Sequence, residues 1–158
     1  MLPQEIIDVL ESRLQDEYNN ERFYKNASKW CDLNGWKCAS DYFVCMMHKS
    51  HHLAHRLERY ANDANTSIES PIVEQVSIVV NSYVDIIDMA YNNEVAYFNS
   101  YSENMEKCTN AAFEIFLEKY VKSHQKSVYN FLEMINKLSG ISGNFELRQM
   151  QKKVFTRH

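Results

Sequence analysis

The chain has 158 residues, of which 45% are apolar and 24% are charged, a balance typical of one globular domain. Three glycines and two prolines are too few for the many turns of an all-β domain, so the composition favours long helices. The net charge of −4 argues against a nucleic-acid-binding protein. The sequence contains no run of eighteen apolar residues, so no membrane-spanning helix is predicted.

The first two predicted helices occupy the N-terminal part of the chain. Apolar residues spaced alternately three and four apart predict a helix from Gln4 to Cys31, and Pro3 suits its first turn. Gly35 then interrupts the pattern, and the same spacing predicts a second helix from Lys37 to Asn62. At a rise of 1.5 Å per residue, each helix is about 40 Å long.

The remaining predicted elements follow a long polar connection. The stretch from Asn62 to Pro71 has no apolar period and is long enough to cross the length of a bundle. Three further helices are predicted, from Val76 to Asn104, from Ala111 to Leu138, and a short one from Asn144 to Phe155. The sequence therefore predicts a single all-α domain over residues 1–158, a four-helix bundle with one long crossover and a short fifth helix.

The fifth helix carries an apolar stripe of its own, at Leu147, Met150 and Val154. Within one bundle this stripe has little to pack against, so we expect a closed oligomer. The N-terminal segment MLPQEIIDVL lacks the positive charge of a secretion signal, and no cysteine pair forms a C-x-x-C motif. A cytoplasmic location with reduced cysteines is the corresponding expectation.

Polar residues interrupt the core-facing stripe of each long helix near its middle: Glu17 and Glu21, Ser50, Glu94, and His124 and Ser127. Because a lone buried carboxylate is costly, interruptions on all four helices predict one shared polar layer. Carboxylates and an imidazole inside a bundle are suitable metal ligands, whereas the alternative is a hydrogen-bonded layer without metal. Glu21 is the weakest member, because it lies one turn beyond Glu17 and can reach the surface.

A second group of candidate ligands lies on the other side of the second helix, at Cys45, His48, His52, His55 and Arg59. Offsets of three, four, three and four place these residues on one helix face. Imidazoles suit zinc, nickel or copper better than Fe(II), so this stripe is a candidate metal site; the alternative is a solvated polar face.

Several patches of the sequence resemble the bacterial non-haem ferritins, and they occur in the order and spacing of that family. They are Pro3, Leu10, Glu17, Tyr24, Trp30 and Cys31 in the first helix, Arg56-Leu57 and Tyr60 in the second, Ile68–Pro71 in the crossover, Tyr91 and Glu94 in the third, and Phe116-Leu117 with Tyr120-Val121 in the fourth. The resemblance implies a ferritin-like bundle in a shell of 24 identical subunits that stores iron. Charge and hydropathy had already given neither nucleic acid nor a membrane as an expected partner.

The resemblance also implies site residues. Glu17 and Glu94 match ligands of the family's di-iron oxidation site, and Tyr24 matches the tyrosine beside the metals. The family's glutamine and glutamate on the fourth helix fall at His124 and Ser127.

The family's Glu-x-x-His pair on the second helix falls at Ser50 and Leu53, neither of which replaces the bridging carboxylate or the imidazole. If the match between the second helix and the family were shifted by two residues, His52 and His55 would instead fall at the positions of the Glu-x-x-His pair. That shift would turn the apolar stripe through roughly 200°, away from the core, so we prefer the unshifted match.

Glu17, Tyr24, Glu94 and His124 therefore remain as the candidate catalytic set, with His124 either a ligand or a hydrogen-bonded core histidine. Three functions stay open: an iron store whose own oxidation is slow, a working ferroxidase with an altered ligand set, and a cage that buffers zinc or copper at the histidine stripe. Haem is not expected, although His51 lies beside the haem-ligand position of bacterioferritins.

Overall fold

The computed structural model describes residues 1–73, 75 and 77–155. These form five helices: α1 (Gln4–Leu33), α2 (Lys37–Asp63), α3 (Tyr83–Lys107), α4 (Ala111–Leu138) and α5 (Asn144–Phe155). α1 packs mainly on α2, and α3 on α4. The predicted four-helix bundle with a short fifth helix is thus confirmed. No helix in the described ranges is both long and apolar enough to cross a membrane.

The crossover runs the length of the bundle, as predicted. At its start Thr66 accepts a hydrogen bond from the backbone N–H of Leu2, at the beginning of α1. Midway, the carbonyl of Ile72 accepts from the side chain of Gln15. It ends at Tyr83, whose ring packs edge-on against Trp36 at the opposite end of the bundle.

Local signals set most helix boundaries. Gly35 has φ +79°, a conformation that favours glycine, and it reverses the chain between α1 and α2. The side chain of Asn110 accepts a hydrogen bond from the N–H of Phe113 and caps α4. The bounds of α4 and α5 are those predicted from the sequence.

The start of α3 differs from the prediction. The predicted first residue, Val76, lies outside the described residues, and Gln75 and residues 77–82 are not helical. The helix begins at Tyr83, where the hydroxyl of Ser82 accepts the N–H of Val84. Residues 77–81 alternate between exposed and half-buried, so their apolar residues reflect an extended chain that packs on the bundle.

The core has two apolar clusters, one toward each end of the bundle. One is rich in aromatic residues around Tyr24, Phe43 and Phe131 and includes α5. The other is centred on leucines, such as Leu14 and Leu57. Buried polar residues of the central turns lie between these clusters, so the interior is divided by one polar layer.

α5 docks on its own bundle, so the expectation that its apolar stripe lacks a partner is wrong. Leu147 and Val154 are buried in the aromatic cluster, and Met150 packs against it. The hydroxyl of Tyr83 donates to the carbonyl oxygen of Leu147 at 2.7 Å, and the Arg148 guanidinium lies 4.7 Å from the ring centroid of Trp36. The apolar face of this helix therefore gives no reason for an oligomer.

We expect Tyr83→Phe to loosen the attachment of α5 by about 1 kcal/mol, because it removes one buried hydrogen bond and keeps the ring. Limited proteolysis between α4 and α5 should become faster, with a small decrease in unfolding temperature. Tyr129→Phe is the control, since that ring is 62% exposed. Equal proteolysis of the two variants would contradict the anchoring role of Tyr83.

Candidate metal centre

Three residues of the predicted layer meet at the centre of the bundle: Glu17 from α1, Glu94 from α3 and His124 from α4. Each is at most 2% exposed. His124 Nε2 lies 2.8 Å from Glu17 Oε2, and His124 Nδ1 lies 2.6 Å from Glu94 Oε2. The imidazole ring therefore bridges the two carboxylates.

The bridge requires a protonated imidazole. A carboxylate oxygen can only accept a hydrogen bond, so both ring nitrogens of His124 must donate. Burial by itself lowers the pKa of His124, but attraction and hydrogen bonds to Glu17 and Glu94 outweigh it and raise the pKa to about 10. Burial likewise raises the pKa of Glu94, but the hydrogen bond and charge of His124 outweigh burial and hold that pKa below its usual range. The three groups form a buried ion-pair cluster.

Further donors form hydrogen bonds to the two carboxylates. The hydroxyl of Tyr24 donates to Glu94 Oε1, and that of Tyr101 donates to Glu17 Oε2, both at 2.5 Å. The amide of Asn20 also donates to Glu94 Oε1, at 3.1 Å. Burial and then the adjacent carboxylate raise the pKa of both tyrosines well above its usual value, so both remain hydroxyl donors.

A second cation lies next to this cluster. The ammonium group of Lys49 donates to the hydroxyl of Ser127 at 3.0 Å and is partly buried. Burial lowers the pKa of Lys49, and the attraction of Glu94 and Glu17 opposes that decrease. The two carboxylates thus have two protein cations beside them, so no metal ion is needed to balance their charge.

The positions that matched the Glu-x-x-His pair also face the interior. Ser50 is 2% exposed and Leu53 is 7% exposed, whereas His52 and His55 are exposed on the other side of α2. The two-residue shift that would have brought those histidines to the centre is therefore excluded. The serine and the leucine leave α2 without a metal-binding side chain at the centre.

The donor set does not fit two iron ions, which would be substrates at such a centre. His124 has no free lone pair, and three of the four oxygens of Glu17 and Glu94 accept hydrogen bonds. Among the described residues, Glu17 Oε1 and Asn20 Oδ1 are buried oxygens without a partner, and these are too few ligands for two irons. Within the described ranges, no three His, Cys, Asp or Glu side chains are arranged to hold one metal ion.

The structure places the other candidate residues outside this centre. Cys45, His48, His52 and His55 are exposed on one face of α2. Glu21, the weakest member of the predicted layer, points outward and lies 3.2 Å from Nδ1 of His51.

Sequence reasoning missed three residues of the centre. Asn20 occupies the inward position expected for Glu21, since residues three and four positions after Glu17 can both face the core. No signal in the sequence indicated that Tyr101 would donate a hydrogen bond to Glu17. Lys49 does not lie on the apolar stripe of its helix. The only sequence feature that could have placed it near the centre is its long side chain, next to the inward-facing Ser50.

Two bacterial proteins are similar to this chain in sequence. A bacterial non-haem ferritin of Campylobacter jejuni is 23% identical over 149 residues, covering 91% of this chain and 89% of its own. A bacterial non-haem ferritin-like protein of Haemophilus influenzae is 21% identical over 145 residues, covering 88% and 86%. No family model matches the chain.

Solved ferritin structures match the fold along almost its whole length. An open-pore ferritin of the archaeon Archaeoglobus fulgidus superposes with a TM-score of 0.91 at 17% identity, covering 99% of this chain and 98% of its own. A Chlorobium tepidum ferritin superposes with a TM-score of 0.84 at 20% identity, covering 96% of each chain.

The fold defines the class: this is a protein with the ferritin fold. Within that class its sequence is similar to the bacterial non-haem ferritins, and the predicted resemblance is confirmed.

Proposed function

We propose that this chain is a subunit of an iron-storing ferritin shell whose own bundle centre does not act as a fast ferroxidase. Iron is the cargo, taken up as Fe(II) and kept as a ferric mineral. The observation that carries the proposal is the position of His124, which donates one ring N–H to Glu17 and the other to Glu94.

The chemistry follows from that position. A ferroxidase centre binds two Fe(II) ions close together, so that oxygen can take an electron from each, and bridging carboxylates favour the ferric product. In this chain a proton-bearing imidazole separates the carboxylates, and Ser50 and Leu53 supply neither bridge nor imidazole. Fe(II) would have to compete with the protons of His124 for Glu17 and Glu94.

The alternative of a working ferroxidase that uses Glu17, Glu94 and His124 as ligands has less support. It requires His124 to lose one of its two ring protons, and the hydrogen bond that this proton makes, before that nitrogen can bind a metal. The metal ion would then have to replace the positive charge that the buried imidazolium supplies to Glu17 and Glu94.

The proposal includes a closed shell of 24 copies in the cytoplasm; the number of copies rests on the similarity to ferritins, and two observations support contact between copies and a reducing compartment. Large apolar side chains are exposed on the bundle: Ile115, Tyr129 and Leu132 on α4, Phe145 on α5, and Ile72 and Val79 in the crossover. An interface between copies would bury such residues. The four cysteines are unpaired, as in a reducing compartment.

The test is to load the purified full-length protein with iron and measure particle mass and bound iron together. Light scattering should report a particle of hundreds of kilodaltons, and far more iron than its side chains can bind should elute with it. Aerobic Fe(II) oxidation should lack a fast initial phase. A stable monomer or dimer at micromolar concentration, or a fast phase at two irons per subunit, would contradict the proposal.

A further inference from the structure

Four histidines form an exposed patch on α2, which we call the histidine face: His48, His51, His52 and His55. The same turns bury Ser50, Leu53, Ala54 and Leu57 on the opposite side. Because core packing fixes the rotation of the helix, the four imidazoles lie together on the side of α2 that faces away from the core of the bundle.

The spacing of these histidines creates two pairs. His48 and His52 are four residues apart, and so are His51 and His55. Side chains four apart on a helix are neighbours, with Cβ atoms about 5–6 Å from each other. Two histidines at this spacing on one helix face can bind the same zinc ion.

One of these histidines is already oriented as a metal ligand. Nδ1 of His51 lies 3.2 Å from both carboxylate oxygens of Glu21 on α1. Since a carboxylate accepts, Nδ1 carries the proton and the lone pair of a neutral imidazole is on Nε2. A carboxylate that accepts from the second nitrogen is the usual support of a histidine ligand. His124 differs, because two carboxylates occupy both of its nitrogens.

The surroundings favour coordination over simple charge attraction. In the described part of the chain, His48, His52 and His55 make no hydrogen bond or ion pair. Arg22 and Lys25 border the same cleft of about 150 Å³ as Glu21 and His51. These two cations repel any divalent ion, and a hard cation such as Ca²⁺, which needs many oxygen ligands, gains little there, whereas a zinc-type ion gains coordination bonds to imidazole.

We propose that the histidine face binds zinc-type divalent ions through the pairs His48/His52 and His51/His55, with Glu21 as the positioning residue for His51. No three described donors converge on one point, so each pair supplies two ligands and water completes the coordination. Imidazole ligands bind zinc, nickel or copper more tightly than Fe(II). The site is therefore distinct from the storage of iron cargo, and the inference stands whether or not the shell stores iron.

The first test is a calorimetric titration of the full-length protein with Zn²⁺, repeated with excess Fe(II) under anaerobic conditions. The parent should bind zinc, and Fe(II) should not displace it. Replacing all four histidines with Ala should reduce zinc affinity at least about tenfold, since each pair loses both protein ligands. The positions are exposed, so circular dichroism and particle mass should not change. A four-histidine variant that titrates like the parent would overturn the proposal.

The second test isolates Glu21. In a His48→Ala, His52→Ala background only the His51/His55 pair remains, and adding Glu21→Gln should weaken zinc binding there by about 10–100-fold. Glu58→Gln is the matched control, because Glu58 accepts a hydrogen bond from Tyr18 and, in the described part of the chain, makes none with a histidine. Co²⁺ bound to the same pair should show a changed visible spectrum in the Glu21 variant only. Equal zinc affinity in the two variants would refute the positioning role.

Discussion

Replacing His124 with Ala should destabilise the protein by about 3–5 kcal/mol, the usual cost of removing one partner from a buried ion pair. The variant would leave Glu17 and Glu94 without the imidazolium in a layer where each is 1% exposed. For a chain of this size the change corresponds to roughly 10 °C in unfolding temperature. His55→Ala is the matched control, since that imidazole is exposed, and it should have almost no effect.

A second substitution should restore part of the stability that His124→Ala loses. Adding Glu17→Gln to His124→Ala removes one of the two uncompensated charges, so the double variant should be more stable than His124→Ala alone. If Glu17→Gln instead lowers the stability of the His124→Ala variant further, Glu17 is not held by the charge of His124, and the ion-pair account is wrong.

The contribution of the buried ion pairs to stability should change with pH in a defined direction. The pKa of His124 is raised from 6.5 to about 10, so its stabilising contribution is complete below about pH 6.5 and is lost as the pH rises toward 10. The pKa of Glu94 is lowered from 4.5, so its contribution is present above about pH 4.5 and is lost as the pH falls through its folded value. The stability difference between the native protein and His124→Ala should therefore be largest at about pH 4.5–6.5 and should narrow from pH 6.5 to 10. A constant difference over that range would contradict a protonated His124.

Rebuilding the oxidation site should produce the largest change in activity. The combined variant Ser50→Glu, Leu53→His, His124→Gln and Ser127→Glu introduces the side chains that the resemblance places at these positions and removes the imidazolium. We expect initial aerobic Fe(II) oxidation to become faster on the order of tenfold or more, because two metals would have bridging carboxylates. Stopped-flow absorbance of the ferric product measures the rate.

The intermediate variants make this prediction specific. Ser50→Glu with Leu53→His, made alone, should not accelerate oxidation, since His124 would still separate Glu17 from Glu94. Gln125→Glu with Lys126→His adds the same residue types at exposed positions of α4 and is the control. If the Ser50→Glu, Leu53→His variant oxidises Fe(II) as fast as the variant with all four substitutions, His124 does not block the centre.

Much of the fold is determined by local sequence. The spacing of apolar residues predicts α1, α2, α4 and α5 to within two residues, because helical periodicity and nearby capping or glycine signals depend only on neighbours in the chain. The start of α3 could not be predicted in this way. Ile78 and Val80 are apolar because an extended segment packs on the bundle, and an apolar residue does not reveal which backbone conformation buries it.

The sequence by itself also determined which residue types stand at the inner positions, including Glu17, Glu94, His124 and the serine and leucine on α2. Only the tertiary structure decided how they interact. An imidazole beside two carboxylates can bind a metal with them or donate a proton to each, and the choice depends on where the ring lies relative to both. That position is set by how α1, α3 and α4 rotate and pack against one another, over contacts between residues as far apart as Glu17 and His124. The same packing selects Asn20 over Glu21 as the inward residue, because three and four positions along a helix are equivalent until a neighbouring helix is present.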